Sequence, residues 1–433
     1  MKTLKIFSAL LLIGIFVSSC VQNQCTSVRT YVKYTPIYKG YEEVKNSVAS
    51  EEPRTINNPG KIYFKDNFIL VNEINEGIHV IDVSNPENPV NVSFINIPGN
   101  LDLSVMGHVL YVDCFADLLS LDISDPKHIE VLDWDEDVFP NRVWFNGIQG
   151  NPDSGILIGW KEELVTDTVP CDGIQNVSWL EGDAVFFNTS TTGGVKSGTS
   201  AGGGISSPGA GTGGSLARFT INGHHLYTID QLELHVFDLS DNENPQLKND
   251  INIAFNIETI FPYREYLFIG GRNGVYIYDA SDPELPVYLS EFTHANNCDP
   301  VVVQDDIAYV TLRDGTPCQG TSNQLDVLDL SDITNPALIK SYPMSNPHGL
   351  GVDGNTLFIC DGDAGLKVFD KSDLYSIDQN LLTTVKNGET YLDIIPLGSQ
   401  RFAIVMTDEG VCLYDYQNPS QLLNLSCLPI ILN

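Results

Sequence analysis

The sequence predicts an all-β fold, a seven-bladed β-propeller of four-stranded antiparallel blades, on three observations. One short phrase recurs along the 433-residue chain, each copy follows two further β-rich runs, and no segment sustains a helical period. The phrase is an apolar strand ending in Asp, then a small residue, then Asn or Asp, and often Pro. It reads His79-Val80-Ile81-Asp82-Val83-Ser84-Asn85-Pro86 and Ser120-Leu121-Asp122-Ile123-Ser124-Asp125-Pro126. It returns as Val236-Phe237-Asp238-Leu239-Ser240-Asp241 and as Ile277-Tyr278-Asp279-Ala280-Ser281-Asp282-Pro283. Three more copies centre on Asp329, Asp370 and Asp415. The Asp positions lie roughly 40 to 50 residues apart, except for one gap of 116 between Asp122 and Asp238.

The two runs before each phrase are joined by a short turn. Val352-Asp353-Gly354-Asn355-Thr356-Leu357-Phe358-Ile359 is the clearest, and Phe219-Thr220-Ile221-Asn222-Gly223-His224-His225-Leu226-Tyr227 matches it. With the strand after the phrase, each unit holds four antiparallel strands. A unit of about 40 residues cannot bury both faces of its sheet alone, and radial stacking buries them while hiding most edges. The recurring Asp has a structural explanation, because its carboxylate can accept backbone N–H bonds in the turn that follows.

The phrases VIDVSNPENP, LDISDP and VFDLSDNENP resemble the LVIVD repeat of bacterial propeller lipoproteins, over residues 59–430. The resemblance implies fold and export more than any activity. The first nineteen residues read as a leader: Lys2 and Lys5, then an apolar run from Leu10 to Val17 too short to span a bilayer. Val17-Ser18-Ser19-Cys20 resembles the lipobox of bacterial lipoproteins, in which the cysteine is acylated and becomes the new N-terminus. The expected organisation is a signal peptide at 1–19, a tether at 20–58 and the propeller at 59–430, lipidated on Cys20. The expected location is the cell envelope, at the outer membrane, with periplasmic and outward-facing display both open.

A formal charge of −33 repels phosphate backbones and excludes nucleic acid as a partner. Eight cysteines remain after Cys20, and an exported compartment permits disulfides. Cys298–Cys318 is the first candidate bridge and Cys412–Cys427 the second. Cys114 and Cys360, at matching places in two repeats, read as small buried hydrophobes.

The 116-residue gap holds one repeat plus an insertion at about 140–214. Its end, 193–214, is Gly/Ser-rich and reads as a flexible loop. All four tryptophans, Trp134, Trp144, Trp160 and Trp179, fall in residues 134–183. That stretch reads as a satellite core or a stacking platform, with a degenerate eighth blade as the structural alternative.

In a propeller the innermost strand of each blade lines a central channel. Aligning the repeats puts Lys61, Asp102, Arg218, Glu258, Pro300, Gly349 and Asp393 at equivalent places at one mouth, with Asp299 and His348 beside the uncharged members. The turns between second and third strands add Glu73, Glu76, Asp113, Asp117, Arg272, Asp361, Asp363 and Asp408. The candidate ligand-binding residues are therefore Lys61, Asp102, Arg218, Glu258, Asp299, His348, Asp393 and Arg272. Asp361-Gly362-Asp363 begins like a calcium loop, but Ser372 stands at position twelve, so no cofactor is expected.

No nucleophile, zinc or phosphate-loop motif is present. A non-catalytic module binding a polar ligand, glycan or protein at the mouth is thus favoured over a hydrolase or lyase acting on a polymer there. An enzyme would bring titratable groups of perturbed pKa together. A binder would show an open mouth with exposed aromatics.

Overall fold

The computed structural model describes residues 26–140, 144–145, 148–149, 151, 154–170, 180–181, 184–188, 209–254, 257–293, 300–314 and 322–431. Two compact units form, one of residues 1–38 with 158–194 and one of residues 39–157 with 195–433. The second is a seven-bladed propeller, as the repeats predict.

Each blade is a meander of four consecutive antiparallel strands. Blades 1 to 7 occupy residues 59–96, 103–135, 219–252, 257–293, 301–343, 350–385 and 391–429. Blade 1 is widened by Ala49–Glu51 on its outer edge and Thr212–Gly213 on its inner edge. The second and third strands are almost wholly buried, as in Phe402–Thr407 and Gly410–Asp415, because sheets cover both of their faces. Side chains of neighbouring blades merge into shared cores. Phe261, Phe268 and Ile277 of blade 4 pack with Val302, Tyr309 and Val327 of blade 5 and Leu357 of blade 6. The ring closes the same way, with Ile62, Val71 and Ile81 of blade 1 against Ile395, Ile404 and Leu413 of blade 7. A parallel bridge between Ile56 and Ile430 adds a backbone clasp.

The recurring Asp caps a turn in every blade. Asp82, Asp122, Asp238, Asp279, Asp329 and Asp370 accept the backbone N–H of the serine two residues on, at 2.7–2.9 Å. Asp415 accepts that of Gln417 at 2.6 Å. A second turn follows directly. Asn85, Asp125, Asp241, Asp282, Asp332, Asp373 and Asn418 each accept the N–H two residues further on. This double turn, the Asx geometry expected of these side chains, presents carbonyls to the preceding blade. Tyr111 and Ser120 of blade 2 donate to Asn242 and Glu243 of blade 3, both at 2.7 Å. Tyr227 donates to Pro283, Ser290 to Ile333, Tyr342 to Leu374 and, across the closure, Ser426 to Pro86.

The other unit explains much of the insertion. Its sheet orders Ile156–Pro170, Thr26–Lys39, Ala184–Asn188 and Leu180–Glu181. Thr26–Lys39 pairs antiparallel with Ala184–Asn188, Tyr31 opposite Asn188 and Tyr34 opposite Val185. Inserted strands therefore flank a strand from the N-terminal tether instead of forming an eighth meander, which settles the blade count at seven.

Cys412 and Cys427 form the expected cross-strand disulfide in blade 7. Cys114 and Cys360 are free and buried. Cys20, Cys298 and Cys318 lie outside the described residues.

The capping hydrogen bonds hold the carboxyls of Asp82, Asp122, Asp238, Asp279, Asp329 and Asp370 below the ordinary Asp range, Asp238 at about 2. A depressed carboxyl stabilises fully above its unfolded-state value and loses that contribution as pH falls through its folded-state value. Thermal melts between pH 5 and 2 should therefore show stability falling steadily below about pH 4. Asp279→Ala should cost on the order of 1 kcal/mol at pH 7, and Asp279→Asn, which keeps an acceptor oxygen, clearly less.

Candidate functional site

The channel mouth is built where the chain enters each innermost strand. In blades 1 and 4 the register slips at this level, between Pro59 and Ile62 and between Ile257 and Thr259, which frees Lys61 and Glu258 from regular pairing. In blade 7 it slips between Tyr391 and Asp393. Such bulges re-aim side chains. Asp102 and Arg218 stand just before the innermost strands of blades 2 and 3.

These five residues share one electrostatic environment. Burial lowers the Lys61 ammonium to about 8, Asp102 opposes that shift, Arg218 reinforces it, and Asp393 and Glu258 oppose it further. Lys61 Nζ donates to the Leu216 carbonyl. Asp102 is buried; its Oδ2 accepts the Arg218 N–H at 2.6 Å and its Oδ1 the Leu103 N–H at 2.8 Å. Burial raises its carboxyl, with Lys61 and those two N–H groups working against the rise. Asp393 is fully buried, and neither oxygen makes a hydrogen bond of ordinary geometry among the described residues. Burial pushes it up to about 8, which the Ile394 N–H and the Lys61 charge only partly oppose.

The remaining expected residues divide. His348 is buried and its ring carries Arg313, whose Nη1 lies 3.0 Å from both ring nitrogens. Burial, then the Arg313 charge, lowers this imidazole to about 3, so it is neutral. Arg313 was not foreseen, although it follows directly on the second strand of blade 5, and Glu258 acts on its charge. Arg272 sits in the turn between Tyr266–Gly271 and Gly274–Asp279, at the end of blade 4 where Gly271 pairs with Ile257. Asp299 lies outside the described residues.

Several turn carboxylates expected to face the mouth are instead spent on backbone. Asp113 Oδ1 accepts the N–H groups of Leu101 and Asp102, both at 2.9 Å. Glu73 takes those of Asn57 and Asn58, Asp361 those of Ser345 and Asn346, and Asp408 that of Thr390. In each case a carboxylate at or just past the end of the second strand ties down its own blade's lead-in loop. Asp361 also pairs with Lys367 at 2.5 Å, so the supposed calcium loop has its first carboxylate engaged. Asp117 accepts the Trp134 indole N–H at 2.8 Å. That tryptophan belongs to the outer strand of blade 2.

The Gly/Ser loop holds the main surprise. Its last residues do not behave as a linker, because they rise through the channel as an added innermost strand. Gly107 donates to Gly209 at 2.8 Å and Gly211 to Val105 at 3.0 Å, while Thr212 and Gly213 pair with Phe64 and Tyr63. The next turn reaches across: Leu350 N–H donates to Ser215 Oγ at 3.3 Å and Ile260 N–H to the Ala217 carbonyl at 2.9 Å. Residues 209–217 thus bond to blades 1, 2, 4 and 6. Glycine permits the close approach, since a Cβ on Gly211 would lie 2.6 Å from the Phe64 carbonyl oxygen. Tyr63, Gly213, Ala217, Thr220, Ile260 and Pro262 line a small cavity of about 20 Å³ beside the segment.

A model of the LVIVD repeat matches residues 60–96, 100–132 and 298–343. The chain carries LVIVD repeats. The matches cover blades 1, 2 and 5 of the propeller, and the remaining blades repeat the same turn chemistry. Curated proteins gave no sequence match. Among solved structures, a Lactobacillus plantarum protein is 11% identical over 93% of this chain and 97% of its own, with a TM-score of 0.52. The computationally designed Ika8 protein is 10% identical over 88% and 91%, with a TM-score of 0.51. The periplasmic gluconolactonase of Pseudomonas aeruginosa is 11% identical over 93% and 98%, with a TM-score of 0.48. At these identities the first two likenesses show the fold alone.

Asp393 gives a direct test of the mouth electrostatics. A raised carboxyl stabilises fully below its unfolded-state value, and that contribution is lost as pH rises through its folded-state value, here from about 4 to about 8. Asp393→Asn should therefore melt above the native protein at pH 8–9 and close to it near pH 4. A lower melting temperature for the variant at every pH would mean that the folded protein pairs this carboxylate.

Proposed function

We propose that this chain is an exported, lipid-anchored binding module that recognises a polar ligand at the channel mouth without transforming it. Val17-Ser18-Ser19-Cys20 supports the anchor. The observation that carries the binding reading is Asp393, a fully buried carboxyl that makes no hydrogen bond of ordinary geometry among the described residues. Its charge is opposed only by the Ile394 N–H and by Lys61, on which Asp102, Arg218 and Glu258 also act. An unpartnered buried carboxyl destabilises a fold, so its presence is explained best by a donor group that arrives with a ligand. Lys61, Arg218 and Glu258 are only partly buried and offer the ligand both signs of charge. Arg218 also keeps its Nε without a partner among the described residues. The segment 209–217 gives this mouth a floor, which suits a small polar molecule or chain end better than a threaded polymer.

One observation favours catalysis as a second reading. Lys61 and Asp393 are displaced from opposite sides to about 8, the sort of matched pair that proton transfer uses. Asp102 is held by backbone N–H groups, however, and the sequence carries no nucleophile motif, so the binding reading is preferred.

The test is a thermal-shift screen of the full chain against sugars, amino sugars, amino acids and short peptides. At least one compound should raise the melting temperature. Arg218→Ala with Glu258→Ala should abolish that shift while leaving the unliganded melting temperature nearly unchanged. A shift that survives both substitutions would place binding elsewhere, and turnover of the hit would move the protein to the catalytic reading.

A further inference from the structure

Blade 3 holds a second polar cluster, independent of the mouth residues. The turn between His225–Ile229 and Glu233–Asp238 gathers Asp230, Glu233 and His235, and one ligand atom from each lies within 4.8 Å of the others. Asp230 and His235 are 1% and 2% exposed, and Glu233 is partly exposed. Asp230 Oδ1 is used by the turn, accepting the N–H groups of Leu232 and Glu233 at 2.7 and 2.8 Å. His235 Nδ1 is used by Asp250, at 2.7 Å. Its other nitrogen, Nε2, is buried, has no hydrogen-bond partner among the described residues, and faces Asp230 Oδ2 at 3.8 Å.

The ordinary explanation is an imidazolium clamped between two carboxylates. Blade 1 shows one such histidine–carboxylate contact closed, because His79 occupies the equivalent place three residues before its repeat Asp. There Nε2 meets Glu73 Oε2 at 2.9 Å, a closed hydrogen bond. In blade 3 the corresponding gap is too wide for one. It is close to the span of two ligands on a shared ion, roughly 3.3–3.6 Å for bonds of about 2.0–2.2 Å. The surroundings fit the same reading. A ligating histidine commonly gives its second nitrogen to a carboxylate that fixes the ring, which is the position of Asp250. Phe139 packs edge-on against the imidazole, with ring centroids 5.4 Å apart, and restrains it further.

We propose that Asp230 Oδ2, a Glu233 carboxylate oxygen and His235 Nε2 bind one divalent transition-metal ion, with Asp250 orienting the histidine. One imidazole and two carboxylates suit zinc or manganese, and not soft ions such as Cu(I). Three protein ligands leave a further position for water. The ion ties the turn that begins the third strand of blade 3 to the strand itself.

Zinc added to the chelator-stripped full chain should bind at one equivalent by calorimetry and raise the melting temperature by several degrees once it exceeds its Kd about a hundredfold. Glu233→Gln removes the least buried ligand; it should lose at least tenfold in zinc affinity and melt like the native protein without metal. Because a ligand variant can weaken the fold for other reasons, the native chain supplies the second readout. Histidine-selective ¹H–¹⁵N spectra should show the Nε2 of one buried imidazole shifting on zinc addition. Unchanged zinc affinity in Glu233→Gln, or no buried imidazole responding, would overturn the site.

Discussion

The structure depends on one short hydrogen bond made seven times, donated by a backbone N–H to the carboxylate two residues earlier at the end of a third strand. It ends the strand, starts the second capped turn, and fixes the carbonyls that hydroxyls of the preceding blade reach in blades 1, 3, 4, 5 and 6. Apolar packing between blades is stronger in sum but has no direction. The turn supplies direction, setting each sheet at the same height and tilt against the next. A carboxylate is the right group because it accepts a main-chain and a hydroxyl bond together, as Asp238 does from Ser240.

Those turns also explain what could be read from sequence. They are local, so their period in the chain is their period in space, and both blade count and mouth positions followed from counting. Lys61, Asp102, Arg218, Glu258 and Asp393 come together because equivalent positions in a closed ring must. The tail of the insertion was not legible. A Gly/Ser run has the same composition whether it is solvated or seated in a channel, and only the inner edges exposed near Tyr63 and Val105 decide between them. The turn carboxylates misled for a related reason. Glu73, Asp113 and Asp361 read as acids facing the mouth, but a buried lead-in loop has orphan N–H groups that no side-chain pattern reveals.

The overall charge of −33 and the local chemistry of the mouth differ in kind. The repeat carboxylates are hydrogen-bonded near the surface and cost the fold little. At the mouth, Asp102 and Asp393 are buried beside cations that are themselves partly desolvated. A closed ring concentrates such conflict at its axis, where the entries to seven innermost strands converge. Repeat proteins can place reactive or recognitive groups there without disturbing the periodic contacts that hold the blades.

The seated segment 209–217 bears on the order of folding. Each blade is contiguous in sequence, so its strands can pair over short loops and nucleate early. The segment's partners belong to blades 1, 2, 4 and 6, which surround it only when the circle is complete. It must therefore dock late, as a bolt slid into an assembled ring. Slow unfolding should then be controlled at the axis as much as at the seam between blades 1 and 7.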